Sequence, residues 1–285
     1  SSHPRSADAW AALAAALYGR LSFCDRDPEP LAARATEAAA RALALDPEQV
    51  VALRTRAIFA GKADGDFDAA RSLFERALRS LPNDTSARLN YAELLTYAGR
   101  FDESLVQINL ARAHDPLSTS VHLARAVCLY LQRRHEEADE AWALCRASGD
   151  TSLWTVAGQG MNALAAGRVD DAQAMIGDAL LRSPGQPRLV VWQACVHAAR
   201  GEHDRALACE RECAKHSPWL SPAHRAMPAA IRRDRETTLR LIAEALDRRD
   251  LGLPFVSMDR ALDWLAGDRD FERLRRRSPL WAARA

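Results

Sequence analysis

The amino-acid sequence predicts an all-α protein, an α-solenoid built from stacked antiparallel helix hairpins. The first supporting observation is a period: Pro82, Pro116, Asp150, Pro184 and Pro218 lie 34 residues apart. Proline cannot continue an α-helix, so these positions mark where the second helix of each hairpin ends. The second observation is a set of small residues that repeats with the same period. The third is the scarcity of strand signals, since β-branched runs and Asn-Gly or Asp-Gly turns are nearly absent.

Small side chains recur because two helices of a hairpin must approach closely where they cross. One such register holds the following residues: Ala35, Ala70, Ser104, Ala138, Ala172 and Ala206. Larger residues at other fixed positions fill the space to the next hairpin: Phe74, Ile108, Trp142 and Ile176. Gly99, Gly167 and Gly201 lie where the first helix turns into the second.

The period divides residues 1–249 into an array of about seven helix hairpins, followed by a capping segment over 250–285. We expect a first hairpin over about 6–47, stretched by extra residues around Cys24–Pro30. Regular hairpins are expected at these ranges: 50–82, 85–116, 119–150, 153–184 and 187–218. An irregular seventh hairpin runs from Ser221 to about Arg249.

After Arg249 the period fails, and the sequence alternates short loops with short helical pieces. The last hairpin of a solenoid exposes an apolar flank that a cap must cover. The residues expected to cover it are Leu253, Phe255, Val256, Leu262, Trp264, Phe271 and Leu274.

Charge and composition disfavour several classes of function. Lys and Arg number 39 against 38 Asp and Glu, so no global field attracts nucleic acid, and we expect no direct nucleic-acid binding by this segment. No apolar run is long enough to cross a bilayer. The six cysteines form no CxxC motif and are expected to be reduced core residues of a cytoplasmic protein.

No constellation of residues predicts catalysis, a metal or a cofactor. Asp64, Asp66, Asp68 and Glu75 have the spacing of a calcium loop, but Ala69 stands where the loop needs glycine. The histidines and cysteines between 197 and 216 lack the close knuckle spacing of zinc sites. We therefore expect a protein that is not an enzyme.

The repeat itself resembles a known family. The stretches RLNYAELLTYAGRFDESLVQINLARAHDP (88–116) and GMNALAAGRVDDAQAMIGDALLRSP (160–184) resemble the tetratricopeptide repeat. This resemblance implies a right-handed superhelix of antiparallel hairpins whose first helices line a concave groove. Transferring the inward-facing positions of that family gives a candidate partner-binding surface: Leu89, Glu93, Tyr97, Leu123, Val127, Tyr130, Trp154, Met161, Arg188, Arg225 and Arg232.

The middle of this surface is apolar and its C-terminal end is rich in arginine. A protein or peptide segment with apolar anchors and an acidic end would complement it, and a small apolar ligand is an alternative occupant. A different interpretation is that the N-terminal hairpin or the tail closes the superhelix and buries these side chains as core.

The segments LRLIAEALDRRD (239–250) and LPFVSMDRALDWLAGDRDFERLRRR (253–277) resemble the end of tetratricopeptide regions in bacterial signalling proteins. The resemblance implies the regulatory C-terminal part of a winged-helix transcriptional regulator. Its alternatives are a free-standing assembly or secretion adaptor, and the regulatory half of a nucleotide cyclase or kinase whose catalytic domain lies outside these residues.

Overall fold

A computed structural model describes residues 6–21, 28–150 and 152–282, except for the side chains of Leu153, Trp154 and Ala282. In these residues the regular elements are all helical, which confirms the all-α solenoid. Cys24 and most of the expected insertion between the first two helices lie outside the described residues.

Fourteen helices form the periodic part of the described chain. Their bounds are α1 Ala7–Leu21, α2 Glu29–Leu45, α3 Val50–Lys62, α4 Phe67–Ser80, α5 Thr85–Tyr97, α6 Phe101–His114, α7 Thr119–Leu131, α8 His135–Ala147, α9 Leu153–Ala165, α10 Val169–Arg182, α11 Pro187–Ala199, α12 His203–His216, α13 Pro222–Ile231 and α14 Arg235–Asp247. The tail adds α15 Leu253–Val256, a 3-10 helix Arg260–Leu265, α16 Arg269–Arg275 and α17 Pro279–Ala282.

Local sequence fixes where several of these helices begin and turn. The carboxylates of Asp66, Asp84 and Asp234 cap α4, α5 and α14 by accepting from backbone N–H groups at 2.9, 2.6 and 3.1 Å. Gly99 adopts a φ of 75° in the turn from α5 to α6, a conformation that costs glycine little. Arg133 stands 34 residues later and adopts a φ of 66° in the equivalent turn.

The small-residue register lies where the two helices of each hairpin meet. All six members are fully buried: Ala35, Ala70, Ser104, Ala138, Ala172 and Ala206. In the fifth hairpin a Cβ added to Gly160 would lie 2.8 Å from Cγ1 of Ile176, so the helices there meet without room for a larger side chain. Close helix approach therefore explains the repeated small residues.

The odd-numbered helices of the array form an inner layer and the even-numbered helices an outer one. Each inner helix contacts the inner helix of the next hairpin, as α3 does with α5 and α5 with α7. Within the described part, outer helices such as α4 and α6 make no comparable contact. The stack therefore curves toward its inner layer, which forms the concave side.

The tail packs against both ends of this curved array. Near the last hairpin, the Trp264 indole Nε1 donates to the Ala230 carbonyl at 2.9 Å. Leu280, which is fully buried, belongs to the cluster that contains Ile58 and Phe74 of the second hairpin. Most of the apolar tail residues expected to cover a solenoid flank are buried, while Phe255 and Trp264 are half-buried. No described helix combines the length and apolar character that a membrane span requires.

Candidate partner-binding groove

Equivalent positions of the inner helices differ in exposure along the array. In one register, Leu89 and Leu123 are half-buried, whereas Ala157 and Val191 are buried. In the next inward-facing register, one helical turn later, the same change occurs along this series: Glu93 and Val127 are half-buried, Met161 is 6% exposed and Cys195 is 0% exposed. In these two registers the side chains are therefore partly accessible on α5 and α7 and buried on α9 and α11.

The tail covers the second half of this surface. Phe255 stacks between the rings of Tyr130 and His224, with centroid distances of 5.9 and 6.3 Å. The Tyr130 hydroxyl donates to the Asp259 carboxylate, which is itself buried. Since Tyr130 belongs to α7 and His224 to α13, one tail residue bridges the inner faces of two distant hairpins.

Polar contacts hold the tail in this position. The Arg133 guanidinium pairs with Asp263 at 2.7 Å, and Arg260 donates to the Ala165 carbonyl. Burial raises the pKa of Asp259 above its usual value, although the Tyr130 hydroxyl partly opposes this shift. The tail thus occupies the inner surface of the later hairpins much as a bound segment would.

An open cavity of about 460 Å³ remains between α1, α3, α5 and α7. Its apolar wall includes Ile58, Leu89, Leu123 and Val127, and Phe255 of the tail closes one end. Arg54, Asn90 and Glu93 supply polar groups on the same surface. A concave, mostly apolar cavity of this size with a few polar groups has the character of a binding site.

A polar cluster forms the floor of the groove, where α3 and α5 face each other. Lys62 Nζ donates to Glu93 Oε1 at 3.0 Å, and the Tyr97 hydroxyl donates to the same oxygen at 2.8 Å. Burial alone would lower the pKa of Lys62, but the negative charge of Glu93 and the hydrogen bond to it raise this pKa well above its usual value. Burial and Glu93 also raise the pKa of Tyr97 well above its usual value. Lys62 is therefore a cation and Tyr97 a neutral hydrogen-bond donor.

A second and larger cavity of about 1230 Å³ adjoins the first on the inner side. The residues that line both are Tyr18, Glu93, Tyr97, Leu123, Val127 and Phe255. Its own walls include Trp142, Trp192 and His224. Burial and the charge of Arg188 lower the pKa of His224 well below its usual value, so this imidazole is neutral at pH 7.

Ser221, His224 and Asp250 meet at the edge of the larger cavity. Their hydrogen bonds have the directions of a helix cap and not those of a catalytic triad. The Ser221 hydroxyl donates to Asp250 at 2.6 Å and accepts from the His224 backbone N–H at 3.2 Å. Its proton is therefore directed at the carboxylate, and His224 Nδ1, 2.8 Å away, serves as a donor to Ser221. An activated serine needs the histidine as its proton acceptor, so this arrangement caps α13.

The surface predicted from the sequence is divided by the tail. Five of its residues line the open cavity: Leu89, Glu93, Tyr97, Leu123 and Val127. Three others line the larger cavity: Tyr130, Met161 and Arg188. Trp154 lies in α9, but its side chain is outside the described part of the chain. Tyr97, Tyr130 and Met161 are buried, so they contribute to the walls more than to the accessible surface.

The two arginines expected at the C-terminal end of the groove lie elsewhere. Arg225 and Arg232 belong to or directly follow α13 and line neither cavity. The side chain of Arg232 is almost fully buried and forms an ion pair with Glu210. Its charge is therefore compensated within the chain, and no acidic partner is needed to account for it.

Sequence reasoning missed Lys62 and Phe255. Lys62 lies 35 residues before Tyr97, one residue more than the period, so the repeat did not single it out, although it is one of only two lysines in a chain rich in arginine. Phe255 was assigned to covering the last hairpin, and only the fold shows that it reaches the inner face. The signal in the sequence that could have identified Lys62 was an isolated lysine at the end of an inner helix.

The described residues contain no group of His, Cys, Asp and Glu side chains able to hold a metal ion. Burial raises the pKa of the five described cysteines, to about 12 for Cys145 and Cys213. Such thiols remain protonated at neutral pH and are poor nucleophiles.

Comparisons with known proteins identify the repeat. Residues 62–128 and 158–218 match family models described as tetratricopeptide repeat. No curated protein matches the sequence significantly. A tetratricopeptide repeat protein from Parabacteroides merdae has a similar structure, with a TM-score of 0.58 and 14% identity over 95% of this chain and 99% of that one. A thermophilic protein of the same kind from Thermus thermophilus gives 0.57 and 19% identity over 71% and 100% of the two chains.

A third solved structure, that of pilF from Pseudomonas aeruginosa, has a TM-score of 0.52 and 16% identity, covering 74% of this chain and 92% of that one. At these identities the similarity concerns the fold alone. The period, the close-packed hairpins and the two matching family models lead to one conclusion: residues 62–128 and 158–218 of the chain form tetratricopeptide repeats.

Proposed function

We propose that this protein is an interaction module that binds a segment of a partner protein in the open groove between α1, α3, α5 and α7. Tetratricopeptide repeats are generally protein-interaction modules. The observation that supports the site is the half-buried state of Leu89, Leu123 and Val127, whose equivalents on α9 and α11 are buried. Neighbouring apolar side chains that stay accessible in a concave surface are typical of an interaction site.

The groove favours a short segment. Packed helices lie about 8–10 Å apart, so the three inner helices α3, α5 and α7 span about 20 Å. An extended chain advances about 3.3 Å per residue, and about six residues would cross this distance. Asn90, whose side chain lines the cavity, offers an amide that can pair with the backbone of such a segment.

The finer role that we propose is regulatory. The resemblance of the tail to the end of tetratricopeptide regions in bacterial signalling proteins supports the control of an effector domain that lies outside these residues. The sequence of the gene upstream of residue 1 tests this role. A winged-helix pattern there supports a transcriptional regulator and a cyclase or kinase pattern supports the regulation of an enzyme, while the absence of an effector favours a free-standing adaptor.

The binding site is tested with peptides selected from a random library displayed on phage. Leu123→Arg places a charge on the groove wall and is expected to reduce the affinity of selected peptides at least tenfold. The matched control is Leu181→Arg, at a position that is 83% exposed on the outer helix α10, and it should leave affinity unchanged. Circular dichroism checks that both variants fold. Failure to select any peptide, or equal affinity for Leu123→Arg and wild type, would contradict the proposal.

A further inference from the structure

The carboxylate of Glu93 has two oxygens with different surroundings. Oε1 accepts from both Lys62 and Tyr97, at 3.0 and 2.8 Å. Oε2 accepts no hydrogen bond from any residue that the structure describes, and the side chain is 29% exposed. Because Glu93 lines both cavities, its side chain lies where the two cavities adjoin.

The cluster holds this oxygen in place before any partner arrives. Lys62 comes from the end of α3, and Tyr97 lies one turn after Glu93 on α5. The Lys62 ammonium also lies 5.5 Å from the centroid of the Tyr97 ring, which adds a cation–π contact. A side chain fixed on two sides loses little conformational freedom when it accepts a further hydrogen bond.

From this geometry we infer that Glu93 selects the occupant of the groove: a segment that donates to Oε2 from an uncharged group, a hydroxyl, amide or indole N–H, flanked by aliphatic side chains. This inference rests on the proposed function, since it names the chemistry of the segment that the groove binds.

Lys62 explains why the donor is uncharged. A cation hydrogen-bonded to Oε2 would lie about 5 Å from the Lys62 ammonium, so repulsion cancels roughly half or more of its attraction to Glu93. The cation would also lose its hydration on entering an apolar groove. A neutral donor makes a charge-assisted hydrogen bond to the carboxylate without that cost. An acidic side chain at the donor position is disfavoured because the Glu93 carboxylate would repel it.

The aliphatic flanks follow from the neighbours of Glu93. Leu89 lies one helical turn before it on α5, and Val127 occupies the same register on α7. Both are half-buried and line the open cavity. A donor centred on Oε2 therefore has apolar surface on two sides, which favours valine, leucine or isoleucine at adjacent positions of the segment.

The experiment compares peptides selected by the wild-type protein on three versions of the full chain. The Lys62→Met/Glu93→Leu double variant replaces the ion pair with apolar residues of similar volume, a change that is often tolerated. On wild type, replacing the donor of the peptide with an isostere, such as Thr→Val, should weaken binding about tenfold. On the double variant both peptides should bind equally. Lys62→Met alone leaves Glu93 uncompensated and should shift selection toward peptides with Arg or Lys at the donor position.

The outcomes separate this inference from the proposed function. If the selected peptides show no preferred donor position, Glu93 has no selective role. The same conclusion follows if the double variant prefers the donor peptide over its isostere as strongly as wild type does. Either result leaves the groove intact as a binding site. Failure of wild type to select any peptide would remove the proposed function itself. If the double variant does not fold, the Thr→Val comparison on wild type and the residue preference at that position still decide the inference.

Discussion

The two halves of the inner surface are built from one repeat, yet they differ in what covers them. Val127 and Met161 lie 34 residues apart at the same position of successive hairpins. Val127 is half-buried and lines both cavities, whereas Met161 is only 6% exposed and lines the larger cavity alone. The periodic sequence therefore determines which side chains face inward. A segment outside the period determines which of them remain accessible to a partner.

The largest expected difference between the halves is in stability. Met161→Ala removes a buried side chain and should lower the free energy of unfolding by about 2–5 kcal/mol. Val127→Ala at the equivalent open position removes less buried surface and should cost about 1 kcal/mol or less. Urea denaturation followed by circular dichroism measures both changes. Equal costs would mean that the tail does not bury the later hairpins in solution.

A smaller difference is expected when one hydroxyl is removed from each half. Tyr130→Phe deprives the buried Asp259 of its side-chain donor and should destabilise the fold by about 1–3 kcal/mol. Tyr97→Phe leaves Glu93 paired with Lys62 and should cost about 1 kcal/mol or less. Both substitutions keep the ring, so thermal or urea unfolding compares the hydroxyls directly. A larger loss of stability for Tyr97→Phe than for Tyr130→Phe would contradict this ranking and would mean that the Lys62–Glu93–Tyr97 cluster contributes more to the stability of the fold.

The smallest effect concerns the pH dependence of the tail. Hydrogen bonds from the Arg235 guanidinium hold the pKa of Asp268 at about 2, below its usual value. A depressed carboxyl pKa contributes stability that is present above the usual pKa and is lost as the pH falls through about 2. Asp268→Asn should therefore lower Tm at pH 6, and the difference from wild type should shrink toward pH 2.

Arg235→Gln is the matched variant for this ion pair, since it removes the partner instead of the carboxylate. Arg235→Gln also removes the 2.7 Å contact with Asp270, so it should lower Tm at pH 6 at least as much as Asp268→Asn, and the double variant should resemble Arg235→Gln. A pH-independent difference for Asp268→Asn would indicate that its role as the N-cap of α16 outweighs the ion pair.

The sequence predicted the hairpins well because their determinants are local and periodic. Proline and glycine positions mark helix ends, and small residues such as Ala172 mark close crossings wherever they recur. The inward-facing positions of Leu89, Leu123 and Val127 were implied by the resemblance to the tetratricopeptide repeat, and all three line the open cavity.

The accessible part of the site did not follow from the sequence, because it depends on contacts between segments distant in the chain. Phe255 meets Tyr130 and His224 only after the array has curved and the tail has crossed it. The pairing of Arg232 with Glu210 joins side chains from neighbouring hairpins. Neither contact leaves a local pattern, so aromatic and arginine side chains that were expected to meet a partner are satisfied internally.

The contact between the tail and the second hairpin has a mechanical consequence. A Cβ on Gly65 would lie only 3.1 Å from Pro279, and Arg249 pairs with Asp64 beside it. An ordinary solenoid extends easily along its axis, because each repeat contacts only its immediate neighbours. Here the tail is also held against the second hairpin, which lies far from it in the sequence. These contacts should therefore resist the small rotations between hairpins that would separate the tail from the second hairpin.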